Sequence, residues 1–85
     1  MTADQIRDRV ATIVAETLGV DRVSLEDHTT APDVEGWDSL ANVQIIVAIE
    51  KTFGIRFRTG EIAAIKNVGD LVARIGGRIS ARQTS

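Results

Sequence analysis

One short segment of the chain combines residue types that are used at modified or reactive sites. Residues 36–40 read Gly-Trp-Asp-Ser-Leu, and both Asp38 and Ser39 are residue types that favour the N-cap of a helix. A hydroxyl at such a position faces free backbone N–H groups and the positive end of the helix dipole, which together favour an attached or bound phosphate. The segment therefore indicates either a simple helix cap or a serine that carries a phosphate group.

A catalytic triad is the alternative chemistry for the same serine. Ser39 would be the nucleophile, His28 the base and Asp38 the orienting acid. Adjacent residues such as Asp38 and Ser39 point their side chains apart, however, and no oxyanion-hole glycine pattern accompanies them. A lone histidine in an acidic loop is more simply explained as a solvated side chain. The chain also has no cysteine, which excludes a disulfide scaffold and cysteine-ligated metals.

Two long helices are predicted on either side of this segment. The first covers residues 2–18, with a capping box formed by Thr2 and Gln5 and a terminating Gly19. The second covers residues 39–53 and ends at Gly54. Its β-branched run at residues 45–49 also fits a strand, but the length of the pattern and its bracketing cap and glycine favour a helix.

The rest of the chain completes an all-α, up-down four-helix bundle with a long first loop and a short third helix. The long loop is residues 20–38, and its apolar anchors to the core are expected to be Val20, Val23 and Leu25. Thr59 is predicted to cap a brief third helix through Ile65. Asn67 and Asp70 are predicted to cap a fourth helix that stops at Gly76-Gly77. We expect one domain over residues 1–77 and a frayed polar tail over residues 78–85.

The sequence GWDSLANVQIIVAIEKTFGIRF at residues 36–57 resembles the acyl carrier protein family. The resemblance continues in IKNVGD at residues 65–70 and covers the chain from the first helix to Ile75. In that family the serine of the Asp-Ser-Leu motif carries 4′-phosphopantetheine, donated by coenzyme A, through a phosphodiester. The resemblance therefore implies attachment at Ser39, with Asp38 and Leu40 as flanking residues of the cofactor site. It implies a substrate shuttle for acyl thioesters that is not itself an enzyme.

The resemblance also implies positions for partner docking or for an acyl pocket. The implied partners of a monomeric carrier are a phosphopantetheinyl transferase and the enzymes that load and transfer acyl groups. Core packing is the alternative explanation for the apolar members of the set. The positions are Val43, Gln44, Val47, Glu50, Phe57, Ile62 and Ile65.

The chain departs from fatty-acid carriers in the charge of its second helix. Gln44 and Lys51 stand where acids are common in that family, and Arg56 and Arg58 follow closely. Docking to basic patches is weakened, because complementary charge sets partner choice and association rate. A specialised fatty acid, lipid or polyketide-like pathway is expected. An aminoacyl or peptidyl carrier, of D-alanyl or nonribosomal type, and an unmodified helical interaction module remain as alternatives.

Size and charge exclude several other classes of protein. The chain has 85 residues, which is enough for one core. Residues 1–40 hold nine acids and three bases, a net charge of −6, whereas residues 41–85 hold three acids and seven bases, a net charge of +4. Scattered bases and a pI near 5.2 argue against nucleic acid as a partner. No apolar stretch approaches the roughly 20 residues of a membrane span, and no secretory signal is apparent, so we expect a cytoplasmic protein.

Overall fold

The structure, a computed structural model, describes residues 1–83 of the chain, with side chains through Ala81. Four helices and no strand occur in this part of the chain, which confirms the predicted fold class. Helix α1 packs against both α2 and α4. The helices are α1 at Ala3–Leu18, α2 at Ser39–Phe53, α3 at Thr59–Ala64 and α4 at Val68–Gln83, with a single 3₁₀ turn at Ala31–Asp33 in the long loop.

Local capping sets the ends of α1 and α2, as predicted. The Gln5 N–H donates to Thr2 Oγ1 at 3.2 Å, and the Thr2 N–H donates to Gln5 Oε1 at 2.8 Å. The Ala41 N–H donates to Asp38 Oδ1 at 2.8 Å, so Asp38 is the N-cap of α2. Gly54 ends α2 in the left-handed conformation at φ +65°, which a side chain would strain. These caps outweigh the strand preference of the β-branched run, which lies entirely within α2.

The core is aliphatic and lies where α1, α2 and α4 meet. Its fully buried side chains come from all three of these helices: Val10, Val14, Ile45, Ile49, Val68 and Ile75. Leu25 is buried and Val23 packs against the core, so two of the three predicted loop anchors are confirmed. The prediction for Val20 is wrong, because its side chain is 49% exposed.

The start of α4 is tied to the long loop. The Val68 N–H donates to the Thr29 carbonyl at 2.8 Å, and the Gly69 N–H donates to the Asp27 carbonyl at 2.9 Å. These bonds satisfy N–H groups that have no acceptor within a helix. A Cβ at Gly69 would lie 3.0 Å from both Cβ and O of Asp27, so this close approach favours a glycine. The predicted cap is also confirmed, since the Asp70 N–H donates to Asn67 Oδ1 at 2.8 Å.

The predicted end of α4 is wrong. The helix passes through Gly76 and Gly77 and continues to Gln83, so residues 78–83 are helical instead of a frayed tail, while residues 84 and 85 lie outside the described part. Each glycine disfavours a helix by about 1 kcal/mol relative to alanine. Two contacts beyond the glycines offset this cost: Ile79 packs against the core, and Arg78 pairs with Glu61 of α3.

Helix α3 is short and held to α4 by charge. The predicted cap at Thr59 is wrong by one residue, because Arg58 is the N-cap and Thr59 is the first helical residue. The Arg58 N–H donates to Glu61 Oε1 at 3.3 Å. Glu61, which is 14% exposed, also pairs with Arg74 at 3.4 Å and with Arg78. No helix within residues 1–83 is long and apolar enough to cross a membrane.

Candidate functional site

Ser39 is the first residue of α2, and its side chain is exposed at the end of the long loop. Asp38 precedes it and caps the helix through its own carboxylate, so the hydroxyl of Ser39 is not needed as a cap. Within residues 1–83 the structure records no hydrogen bond to that hydroxyl. Of the two candidate caps, Asp38 is therefore the one that caps α2, and the Ser39 hydroxyl is exposed.

The backbone around Ser39 favours a negative group on its oxygen. The N–H groups of Ser39 and Leu40 lie in the first turn of α2 and have no acceptor within the helix. The helix dipole adds a partial positive charge at the same end. These donors, together with an exposed primary hydroxyl, fit a phosphate ester on Ser39.

The structure does not assemble a catalytic triad. His28 lies in the long loop, 80% exposed, with its Nε2 at 3.2 Å from Glu26 Oε2. The Asp38 carboxylate accepts the Ala41 N–H and does not orient an imidazole. No hydrogen bond joins the side chain of His28 or Asp38 to the hydroxyl of Ser39 in the described part of the chain.

Trp37 fixes the loop against α2 next to Ser39. Its indole Nε1–H donates to Asn42 Oδ1 at 3.0 Å, and its backbone N–H donates to the Val34 carbonyl at 3.2 Å. Sequence analysis did not identify Asn42 as a partner, because a spacing of five residues across a loop–helix boundary has no recurrent pattern. The hydrogen bond between Trp37 and Asn42 therefore holds the loop in place next to Ser39, although Ser39 itself is exposed.

A second local motif stabilises the loop just before this point. The backbone N–H and the hydroxyl of Thr30 both donate to Asp33 Oδ2 at 2.9 Å. These two hydrogen bonds hold the pKa of Asp33 below its ordinary value of 3.8, and the bond from the Thr30 backbone N–H has the larger effect. The ionised carboxylate is therefore part of the loop structure.

An apolar stripe runs along the exposed face of α2 from Ser39. Leu40, Val43 and Val47 are 69%, 60% and 42% exposed, and their spacing of three and four residues places them on one face. Gln44 is exposed beside them. Core packing does not explain these three residues, so the stripe is a surface feature of α2.

Glu50 and Phe57 have a structural contact that the sequence did not indicate. Glu50 is half-buried, and its Oε2 accepts the Phe57 N–H at 2.8 Å. Phe57 is buried in the core and does not line a surface. The structure thus ties the α2–α3 connection to α2 through the one acid on α2.

A cleft of about 200 Å³ opens between the long loop, α2, α3 and the start of α4. Ile62 and Ile65 line it, whereas Phe57 does not. Trp37 and Asn42 form part of its wall, which places the cleft beside the loop–helix junction that carries Ser39. Ile46 and Leu71 line the apolar side of the cleft, where sequence analysis had not placed pocket residues.

Comparison with known families gives one match over most of the chain. The family model described as phosphopantetheine attachment site matches residues 8–75. An acyl carrier protein of Chloroherpeton thalassium is 32% identical over 72 residues, which cover 85% of this chain and 90% of that protein. An acyl carrier protein of Thermotoga maritima is also 32% identical over 72 residues, covering 85% of this chain and 89% of its own length.

Solved structures with the same fold give a consistent result. The solution NMR structure of a holo acyl carrier protein from Geobacter metallireducens superposes with a TM-score of 0.85 at 30% identity, covering 93% of this chain and 91% of that chain. BlmI, a type-II acyl carrier protein from Streptomyces verticillus involved in bleomycin biosynthesis, superposes with a TM-score of 0.69 at 20% identity, covering 88% and 87%. At that identity the second likeness concerns the fold alone.

Proposed function

We propose that Ser39 carries the prosthetic arm of this chain, which belongs to the acyl carrier protein family. The family identity establishes a carrier with a 4′-phosphopantetheine group. The choice of Ser39 rests on one observation: it is an exposed hydroxyl at the start of α2 whose capping role has been taken over by Asp38. Leu40 and Asp38 flank the attachment point, and the N–H groups of the first turn of α2 face the phosphate.

The chain acts as a substrate shuttle and not as a catalyst in this proposal. The arm supplies a thiol, which a chain without cysteine lacks. The support for a non-enzyme is that His28 and Asp38 are engaged elsewhere and leave Ser39 without a base. The partners are a phosphopantetheinyl transferase and enzymes that load or accept an acyl group, meeting a cytoplasmic monomer. Val43, Gln44 and Val47 are the proposed docking residues beside the arm.

The cleft near Ser39 is the proposed place for a short acyl chain. Its volume of about 200 Å³ exceeds the roughly 150 Å³ of an apolar cavity that binds benzene, so the cleft has room for a short apolar chain. Ile62 and Ile65 would contact the chain. The intact mass of the natively produced protein distinguishes this cargo from an amino acid or peptide, because it reports both the arm and what the arm carries.

Addition of one phosphopantetheine is the test of the attachment site. The purified protein is incubated with coenzyme A and a broad-specificity phosphopantetheinyl transferase, and its intact mass is measured. We expect a mass increase of one phosphopantetheine group in the native protein and none in Ser39→Ala. Ser24→Ala is the matched control, because Ser24 is also an exposed serine but lies within the long loop and not at the start of a helix, and this variant should be modified fully.

Retention of fold completes the test. Ser39→Ala should keep the helical circular dichroism of the native protein, because the Ser39 hydroxyl makes no recorded hydrogen bond within residues 1–83. A mass increase in Ser39→Ala equal to that of the native protein would place the arm on another residue. A native protein that is never modified would support the unmodified interaction module instead.

A further inference from the structure

From Ser39 the exposed face of α2 is apolar and ends in positive charge at the far end of the helix, while the exposed acids nearest to Ser39, Glu35 and Asp38, precede it in the loop. Leu40, Val43 and Val47 form the apolar stripe, and Lys51 continues the same face four residues beyond Val47. A protein that reaches a group on Ser39 must cover part of this stripe. The charge next to the stripe therefore influences which proteins can dock there.

Two arginines extend the positive charge beyond the helix. Residues 55–58 have no regular secondary structure and alternate in burial: Ile55 and Phe57 are buried, while Arg56 and Arg58 are exposed. This alternation turns both arginines outward from the core. Lys51, Arg56 and Arg58, which we name the basic corner, form no ion pair within the described part of the chain.

The acid that would neutralise this charge is turned inward. Residues 39–60 contain one acid, Glu50, against the three cations of the basic corner. Glu50 is half-buried, with Oε2 accepting the Phe57 N–H at 2.8 Å. The next acid along the chain, Glu61, is 14% exposed and is occupied by Arg74 and Arg78. The basic corner thus has no competing carboxylate on the exposed surface of this segment.

From these observations we propose that the proteins which dock over Ser39 present an apolar socket to the stripe and an acidic rim to the basic corner. The occupant is a partner protein with surface carboxylates, since exposed cations without ion pairs favour such a rim and disfavour a basic one. The proposal rests on the proposed function, because it takes the docking partners to be those that act on the arm. It specifies the charge of their docking face.

The test uses two synthetic amphipathic helical peptides of equal length and identical leucine pattern. One carries glutamates and the other lysines at its polar positions. Each is titrated into the isotope-labelled native chain, and the dissociation constant is measured by NMR from the amide shifts of α2. We expect the glutamate peptide to bind about tenfold more tightly at low salt, with shifts at Val43, Val47 and Lys51. The difference should vanish at about 1 M salt, where the screening length falls to roughly 3 Å.

Charge reversal and a matched control locate the effect. The double variant Lys51→Glu with Arg56→Glu should lose the preference for the glutamate peptide. Arg9→Glu with Arg22→Glu changes the net charge equally at exposed positions outside residues 39–60 and should retain it. Val47→Asp should weaken binding of both peptides.

Three outcomes would overturn the proposal. They are equal or tighter binding of the lysine peptide, no binding of the glutamate peptide at millimolar concentration, and an equal effect of both charge-reversal doubles. None of these measurements needs the prosthetic arm. If the peptide titrations fail but Ser39 is modified normally, the carrier function is therefore unaffected. Only the inference of an acidic partner surface would then be rejected.

Discussion

Removal of the Glu50 carboxylate should destabilise the fold, because it leaves one backbone N–H group without its acceptor. The Phe57 N–H donates to Glu50 Oε2 at 2.8 Å, and Phe57 is 9% exposed, so water has little access to replace the acceptor. A hydrogen bond to a charged group contributes about 1.5–3 kcal/mol, and a buried donor without a partner costs a similar amount. We expect Glu50→Ala to lower the free energy of unfolding by about 2 kcal/mol.

This loss is large relative to the stability of a small domain. At roughly 0.05–0.15 kcal/mol per residue, a chain of this length has a free energy of unfolding of about 4–13 kcal/mol. For a domain of about 60–100 residues each kcal/mol lowers the melting temperature by roughly 4–8 °C, so Glu50→Ala should melt about 8–16 °C lower. Thermal and urea unfolding followed by far-UV circular dichroism measure both quantities.

Two control variants separate the acceptor from the charge. Glu50→Gln keeps a carbonyl oxygen within reach of Phe57 but removes the charge, so it should cost about half as much as Glu50→Ala. Glu16→Ala removes an exposed acid of α1 and should change stability by less than about 0.5 kcal/mol. Hydrogen exchange of the Phe57 amide should accelerate in Glu50→Ala beyond the loss of global stability. A Glu50→Ala variant that unfolds like Glu16→Ala, or a Glu50→Gln variant as unstable as Glu50→Ala, would refute this account.

Two further predictions concern the long loop. Gly69→Ala places a Cβ 3.0 Å from Asp27 and should cost about 1–3 kcal/mol in thermal unfolding, whereas Gly60→Ala, with nothing within 4 Å, should not destabilise. Because the pKa of Asp33 is lowered in the folded state, its stabilising effect is present above its ordinary value of 3.8 and is lost as the pH falls through the lower folded value. Asp33→Asn should therefore make the free energy of unfolding less dependent on pH below about 4. An acid unfolding curve identical to that of the native protein would contradict this prediction.

The ends of α1 and α2 could be predicted from sequence because their signals are local. Thr2 with Gln5, and Asp38 with Gly54, form caps from residues close along the chain, and the structure contains each of them. The exposed Ser39 at the start of α2 follows from the same caps. These parts of the fold and of the site need no knowledge of tertiary contacts.

The end of α4 could not be predicted in this way, because distant contacts determine it. Gly76-Gly77 is a strong local signal for termination, yet the helix continues through it to Gln83. Ile79 gains burial against the core, and Arg78 gains Glu61, a residue 17 positions earlier in the chain. Contacts of this range outweigh a local preference of about 1 kcal/mol per glycine.

The charge of the docking surface could not be predicted from the sequence either, because it also depends on a contact between elements. The sequence assigns one acid to α2 and one base, which would make the helix neutral. The structure turns Glu50 toward the Phe57 N–H and leaves Lys51 exposed, so the surface charge of α2 differs from its formal charge. Glu50 thereby links two properties: it closes the connection between α2 and α3, and it leaves the basic corner without a neighbouring carboxylate. Because Glu50→Ala removes the first without adding an exposed acid, it should reduce stability without weakening the preference for the glutamate peptide.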